Sequence, residues 1–287
     1  MKMRFEDFVK KWKDGRALPD VILEQEMIET GVPVELLREE MRKLLNVMLE
    51  EAEKQYGKKQ KTLAGLTGEN GFKLSLSSPR FVSEFSHTAM VVALSLAESN
   101  ASMGRVVACP TGGACGVVPG ILYALKKHLG AREEALLNAF IVGGGVGWVI
   151  EKNATISGAE GGCQAEIGTA AAMASSALTY FVSQDAVKCS HAAALSIKSL
   201  MGLVCDPVGG FVEVPCVKRN GVAVNVAIST AEMAIAGIES VIPFDEVVEA
   251  MHRVGKNLPE SLRETGMGGI AATPTARRII RELSKNQ

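Results

Sequence analysis

The sequence predicts an all-α fold: a compact bundle of small-residue-rich helices joined by glycine-rich functional loops. Three observations predict it. Apolar residues recur at three- and four-residue steps through the N-terminal third. Aromatic residues make up only 5% of the chain, and alternating β-branched patterns are scarce. From about Phe81 onward charges thin out while Ala, Gly and Ser accumulate, the composition of closely packed helices.

Each element follows in order. Residues 1–60 form a helical N-terminal lead. Within it, "PDVILEQEMIETG" reads as a short helix opened by Asp20 and closed by Gly31. "PVELLREEMRKLLNVMLEEAEKQYG" places Leu37, Met41, Leu44, Leu45, Met48 and Ala52 on one face, with Pro33 suited to the first turn and Gly57 to the stop. Residues 58–80 lose this periodicity and read as a connector or mobile loop region. Residues 61–287 form the main domain, packed as one unit with the lead. There "FVSEFSHTAMVVALSLAESNASMG" is helical, and "ACPTGGACGVVPG" is a loop. "REEALLNAFIVGGGVGWVIEKNA" is a helix whose "GGGVG" centre allows a close backbone approach, although each Gly costs about 1 kcal/mol of helix propensity. "ISGAEGGCQAEIG" turns into an Ala-rich helix after Gly168. "QDAVKCSHAAALSIKSLMG" is a helix with Asp185 near its start and Gly202 near its end. "FDEVVEAMHRVG" and "PTARRIIRELSKNQ" supply the last two. No internal repeat or low-complexity tract is visible.

The balance of charge bounds the function. Lys and Arg number 31 against 32 Asp and Glu, a formal net charge of −1, so neither nucleic-acid binding nor an acidic disordered tail is indicated. The N-terminus, "MKMRFEDFVKKWKDG", is charged throughout and lacks an apolar signal core, which predicts a cytoplasmic protein. Two uncharged runs, residues 106–125 and 167–184, call for a membrane check. Prolines and glycines interrupt the first, and the second is Ala/Ser/Thr-rich and short for a span; internal packing explains both.

Six cysteines are present: Cys109, Cys115, Cys163, Cys189, Cys205 and Cys216. Without a secretory signal, disulfides are not expected. Free cysteine is commonly a buried apolar residue. Cys189, in the apolar stretch "AVKCSHAAAL", fits that role. Cys109 and Cys115 flank the "PTGGA" loop and are not favoured as ligands. Cys163, Cys205 and Cys216 sit instead in Gly/Pro-rich turns, "EGGCQAE", "CDPVGG" and "VEVPC", where freed backbone N–H groups stabilise thiolates. They lie 42 and then 11 positions apart. No Cys-x-x-Cys pair or ferredoxin-type run is present, which disfavours structural zinc. Three widely spaced cysteines suit a [4Fe–4S] cluster with one iron open for substrate, a Lewis acid able to help a hydroxyl depart.

Four stretches carry a specific resemblance: "AESNASMGRVVACPTGGACGVVPG", "SGAEGGCQAEIG", "GLVCDPVGGFVEVPCVKRNG" and "LPESLRETGMGGIAATPT". Together they resemble the alpha chain, or catalytic domain, of the iron–sulfur-dependent bacterial L-serine dehydratases (L-serine ammonia-lyases), over residues 60–275. The resemblance implies a mostly helical fold, an oxygen-sensitive [4Fe–4S] cluster, and amino-acid degradation of L-serine to pyruvate and ammonia without pyridoxal phosphate. The family's ligand cysteines lie in its "GGCQ", "CDP" and "PC" motifs, which are Cys163, Cys205 and Cys216 here. Single-chain members carry a further regulatory region and a C-terminal cysteine able to reach the cluster. This sequence has no cysteine after Cys216, so it resembles the two-chain type. That implies a separate beta chain and an oligomer.

The chemistry requires a cradle for the substrate carboxylate. "PTGGACG" is the leading candidate: Thr111 offers a hydroxyl, and Gly112 and Gly113 let backbone N–H groups converge on a small anion. Asn100, in "ESNASMG", is a candidate for the substrate's ammonium or carboxylate. Arg219 and Asn220 follow Cys216 directly and either pair with substrate or fix the cysteine loop. Arg263 and Glu264 read as a structural salt bridge, and Glu166 as a helix N-terminal acid. The general base is unassigned. His128 and His252 fit solvated or amphipathic helix positions, and His87 and His191 fit satisfied interior ones. A base from a partner chain is an alternative. Two other readings stay open on residues alone: the same chemistry on L-cysteine or L-threonine, and a non-catalytic iron–sulfur sensing module.

Overall fold

A computed structural model describes residues 3–285. The chain is 70% helical, with thirteen helices and no strand among the described residues.

The N-terminal lead is three helices, α1 (Phe5–Lys13), α2 (Leu18–Thr30) and α3 (Val34–Gln55). Gly31 closes α2 in the left-handed conformation, as its position predicts, while Asp20 lies inside the first turn and Pro33 is the residue before α3. The lead shares one continuous core with the rest of the molecule. Phe5 meets Phe244 edge-on at 5.6 Å between ring centres, and Phe8 stacks on Trp148 at 6.5 Å.

The connector contains one short helix, α4 (Asn70–Ser75), and leads to α5 (Glu84–Ala101), capped by Ser83 through its hydroxyl. The connector is not a mobile loop. Two buried carboxylates gather its backbone N–H groups. Glu98 accepts from Gly68 and Asn70 at 2.8 and 2.9 Å, and Glu213 from Ala64 and Leu66 at 2.6 and 2.8 Å. Loss of periodicity signalled irregular backbone correctly; it carried no information about what the backbone was tied to.

Next come α6 (Val117–Leu129), α7 (Glu133–Asn153), the single turn α8 (Gly158–Gly161), α9 (Thr169–Ser183) and α10 (Ala186–Leu200). Helix α6 begins inside the stretch expected to be loop. Pro119 falls in its first turn, where a missing N–H costs nothing. Helix α9 is the centre of the molecule, buried at every position from Thr169 to Tyr180 and packed by α6, α7, α10 and α11. Its Ala and Ser side chains let the neighbours come close. A methyl group built on Gly143 of α7 would lie 2.9 Å from the carbonyl oxygen of Met173, so the "GGGVG" segment is the contact that brings α7 against α9. Asp185 caps α10, accepting from Val187 and Lys188 N–H at 2.8 and 3.1 Å.

The chain ends with α11 (Cys216–Ile235), α12 (Phe244–Asn257) and α13 (Pro274–Leu283). Helix α11 had no sequence expectation. Its "VAVNVAIST" centre alternates β-branched and small residues, a strand-like local pattern overridden by burial against α5 and α9. Among the described residues one helix, α7, is long and apolar enough to cross a membrane, with mean hydropathy 1.3 over its most apolar window; 67% of that window is buried inside the protein, the setting of a core helix.

Candidate functional site

All six cysteines are free and buried. Cys189 donates its thiol to the Ser176 carbonyl at 3.6 Å inside the α9–α10 contact, and Cys115 donates to the Leu96 carbonyl at 3.7 Å. Cys163, Cys205 and Cys216 come together elsewhere. Cys163 lies between α8 and a π-helical turn, Gln164–Gly168, that leads into α9. Cys205 sits in an extended segment that pairs with residues 262–264: its N–H donates to the Leu262 carbonyl at 2.9 Å, and Glu264 N–H donates back to it at 2.8 Å. Cys216 is not in a turn, as the sequence suggested, but is the first residue of α11. Its backbone N–H therefore belongs to a free helix N-terminus.

Several bonds fix these three segments to one another. Gln164 N–H donates to the Leu203 carbonyl at 2.9 Å, and its side-chain oxygen accepts from Gly202 N–H at 2.9 Å. The Arg219 guanidinium donates to the Val204 carbonyl and to Asp206, both at 2.8 Å, and Ile270 N–H donates to the second Asp206 oxygen at 2.8 Å. Of the two roles open to Arg219, the structure thus gives it that of holding the cysteine loop. Asn220 does the same from within α11. It is fully buried, donates to the carbonyls of Gly113 and Cys216 at 2.8 and 3.1 Å, and accepts from Gly116 N–H at 3.0 Å. That staples the "PTGGACG" loop to the third cysteine.

The thiols share one electrostatic environment. Burial pushes Cys163 up to about 11, with Arg219 pulling the other way, and pushes Cys216 up to about 12, with Cys163 adding to the rise. Cys205 is raised as well, by burial first and then by Cys163. Among the described residues no three His, Cys, Asp or Glu side chains close around a single-ion position.

Glu166, in the turn after Cys163, touches the loop expected to cradle an anion. Thr111 precedes a single 3₁₀ turn, Gly112–Ala114, at the entrance to α6. Asn100, from the last turn of α5, abuts Gly112: a methyl group there would lie 3.3 Å from the Asn100 side-chain oxygen. Thr111 donates its hydroxyl to Glu166 at 2.8 Å. Arg263 and Glu264 do not form the expected salt bridge; neither has an ion-pair partner among the described residues, and the Arg263 Nε is buried without an acceptor. Their segment is held by its backbone pairing with Cys205 instead, so side-chain charge was the wrong signal there.

The family profile of the serine dehydratase alpha chain matches residues 13–271. This chain belongs to the serine dehydratase alpha-chain family. The probable L-serine dehydratase alpha chain of Bacillus subtilis is 42% identical over 275 residues, 93% of this chain and 89% of the relative. The L-serine dehydratase alpha chain of Peptoniphilus asaccharolyticus is 39% identical over 275 residues, covering 94% of each. A longer relative, an L-serine dehydratase of Escherichia coli, is 39% identical over 181 residues, which are 40% of its length.

The four histidines occupy these places. His128 meets Thr88 at 2.8 Å, His191 accepts from Ser240 N–H at 3.2 Å, His87 is buried beside Ser77, and His252 lies on α12. Sequence reasoning passed over Glu98, Asp206 and Glu213, and undervalued Glu166. A signal for two of them was present. Glu98 and Glu213 are lone acids in apolar runs, "VVALSLAESN" and "GGFVEVPC", where a charge is retained only if it is satisfied in the interior.

Proposed function

We propose that this chain is the alpha subunit of an L-serine dehydratase that converts L-serine to pyruvate and ammonia, using a [4Fe–4S] cluster held by Cys163, Cys205 and Cys216. The supporting observation is the meeting of three free, buried thiols from three sequence-distant segments. The L-serine dehydratase names of the relatives point the same way. The donor set fits the cluster. Three thiolates would place three negative charges in a buried setting beside the Arg219 guanidinium, and a cationic iron–sulfur core would supply the balance. When bound, a cluster with one iron free of cysteine supplies a Lewis acid for the leaving hydroxyl.

The chain's own residues do the remaining work. Arg219 and Asp206 hold the Cys205 segment, and Asn220 holds the cradle loop against Cys216. Asn100 and the backbone of Gly112 and Gly113 receive the substrate carboxylate. Loss of the α-proton and of the hydroxyl leaves an enamine, which tautomerises and hydrolyses without further help from the protein. A partner beta chain in an oligomer is the proposed source of the group that takes the α-proton. The alpha-chain naming of the relatives supports such a partner, as do exposed Phe81 (98%) and Leu76 (73%).

The test is anaerobic purification, cluster reconstitution, absorption spectroscopy and iron and sulfide analysis, followed by product assay. The expected result is a brown protein with about four irons that forms pyruvate from L-serine. Cys163→Ser, Cys205→Ser and Cys216→Ser should each lose the chromophore, and Cys189→Ser should keep it. A protein that stays colourless and iron-free after reconstitution would sink the proposal. Preferred formation of 2-oxobutyrate from L-threonine, or of sulfide from L-cysteine, would reassign the substrate.

A further inference from the structure

The acids in the segments around the thiols are accounted for, with one exception. Asp206 is buried and saturated by Arg219 and the N–H of Ile270. Glu160 is exposed and takes the Thr155 hydroxyl at 2.7 Å. Glu264 is exposed at the rim. Glu166 differs. It projects from the π-helical turn that follows Cys163 and is partly buried. Its Oε1 accepts from Thr111 at 2.8 Å, Oε2 has no protein donor, and no Lys, Arg or His nitrogen lies within 4.0 Å among the described residues. A partly buried carboxylate is retained where something charged or hydrogen-bonding completes it.

The surroundings indicate what completes it. A methyl group on Gly113 would lie 3.2 Å from Glu166 Oε1; one on Gly158 would lie 2.6 Å from Oε2 and 3.1 Å from Cys205 Sγ. The carboxylate therefore sits between the Gly112–Gly113 loop and the cysteine segment, and glycine on both sides leaves room for it. An α-amino acid carries its carboxylate and its ammonium on the same carbon. With the carboxylate against Asn100 and Gly112, the neighbouring position on the cysteine side belongs to the ammonium, and an ammonium brings three donors to an acceptor-only group.

We infer that Glu166 binds the α-ammonium group of the substrate, with Thr111 fixing its orientation. The inference rests on the proposed use of this site for an α-amino acid, and it adds a selection against ligands that lack the amine. A hydroxy acid would satisfy the cradle but leave Glu166 bare.

Titration calorimetry on the reconstituted full chain tests this without relying on turnover. The probes are L-serine, L-threonine, L-cysteine and 3-hydroxypropanoate, which has the carboxylate and hydroxyl of serine but no amine. In Glu166→Gln, with iron content and melting temperature unchanged, L-serine should weaken between about tenfold and a hundredfold. Affinity for 3-hydroxypropanoate should stay within about twofold, so discrimination between the two collapses. Glu166→Asp should recover part of that discrimination, and it carries the test if Glu166→Gln folds poorly. Equal weakening of serine and its des-amino analogue, or no change in either, overturns the assignment. If L-threonine or L-cysteine replaces L-serine as the tight ligand but still loses affinity in Glu166→Gln, the substrate proposal fails and the role of Glu166 stands.

Discussion

Glu98 has no solvent exposure and accepts five hydrogen bonds: from the Thr67 hydroxyl, the N–H groups of Gly68, Asn70 and Gly71, and the Asn70 amide. Five donors on one carboxylate make its charge structural. Glu98→Gln would turn an NH₂ toward one of those donors, and should lower unfolding stability by about 2–3 kcal/mol in a urea titration. A loss below about 0.5 kcal/mol would show that the segment holds itself. At this scale the burial of Cys189 on a helix face was legible, whereas the turn-rich neighbourhood of Cys216 did not reveal that it opens α11. Thr111 and Asn220 were picked out by type and neighbourhood, but hydrogen-bond bookkeeping decides what they do. The Thr111 proton goes to Glu166 and the Asn220 amide is fully used within the protein.

Elements were legible where one face is apolar and the other charged, as in α3 and α12, and where a cap residue stands at the start, as in α10. Helix α11 was not, because its neighbours, not its own sequence, impose the helix. Charge ties between elements were also invisible. Arg42 of α3 reaches Glu133 and Glu134 at the start of α7 at 2.7 and 2.5 Å, and Arg38 reaches Glu134 at 2.8 Å. Hydrogen bonds from Arg38 and Arg42 hold the Glu134 carboxyl below its ordinary value. A lowered folded value means a contribution that is present above the unfolded carboxylate range, near pH 4.3, and lost as pH falls through the folded value. The two carboxylates are largely exposed, so Arg42→Ala should lower the melting temperature only slightly at pH 7. The melting-temperature gap between the variant and the parent should close on acidification to about pH 3. A gap independent of pH would assign the loss to the packing of the arginine stem.

For the whole molecule, the all-α class follows from composition, whereas the way α9 is enclosed depends on which small residue faces which backbone. Adjacent glycines in α7 make the point. Gly143 faces the Met173 carbonyl, while a methyl on Gly144 would meet only the tip of Met41 at 3.5 Å. Gly144→Ala should therefore raise stability by up to about 1 kcal/mol through helix propensity. Gly143→Ala should lower it by about 1–2 kcal/mol, since overpacking outweighs the same propensity gain. Thermal melts of the two variants, moving in opposite directions by a few degrees, would show it; a shared direction would not fit this packing.

The segment wrapped around Glu98 and Glu213 bears on how the chain can be divided. Phe81, where charges thin out, looks like a natural joint between a charged leading segment and an apolar domain. Yet the stretch just before it, residues 62–71, supplies hydrogen-bond donors to two interior carboxylates, one of them three residues before Cys216. A fragment lacking that stretch would leave two buried anions without their donors. The seam in the composition is thus a splice in the structure, and the shortest self-sufficient unit begins well before the point where the sequence changes character.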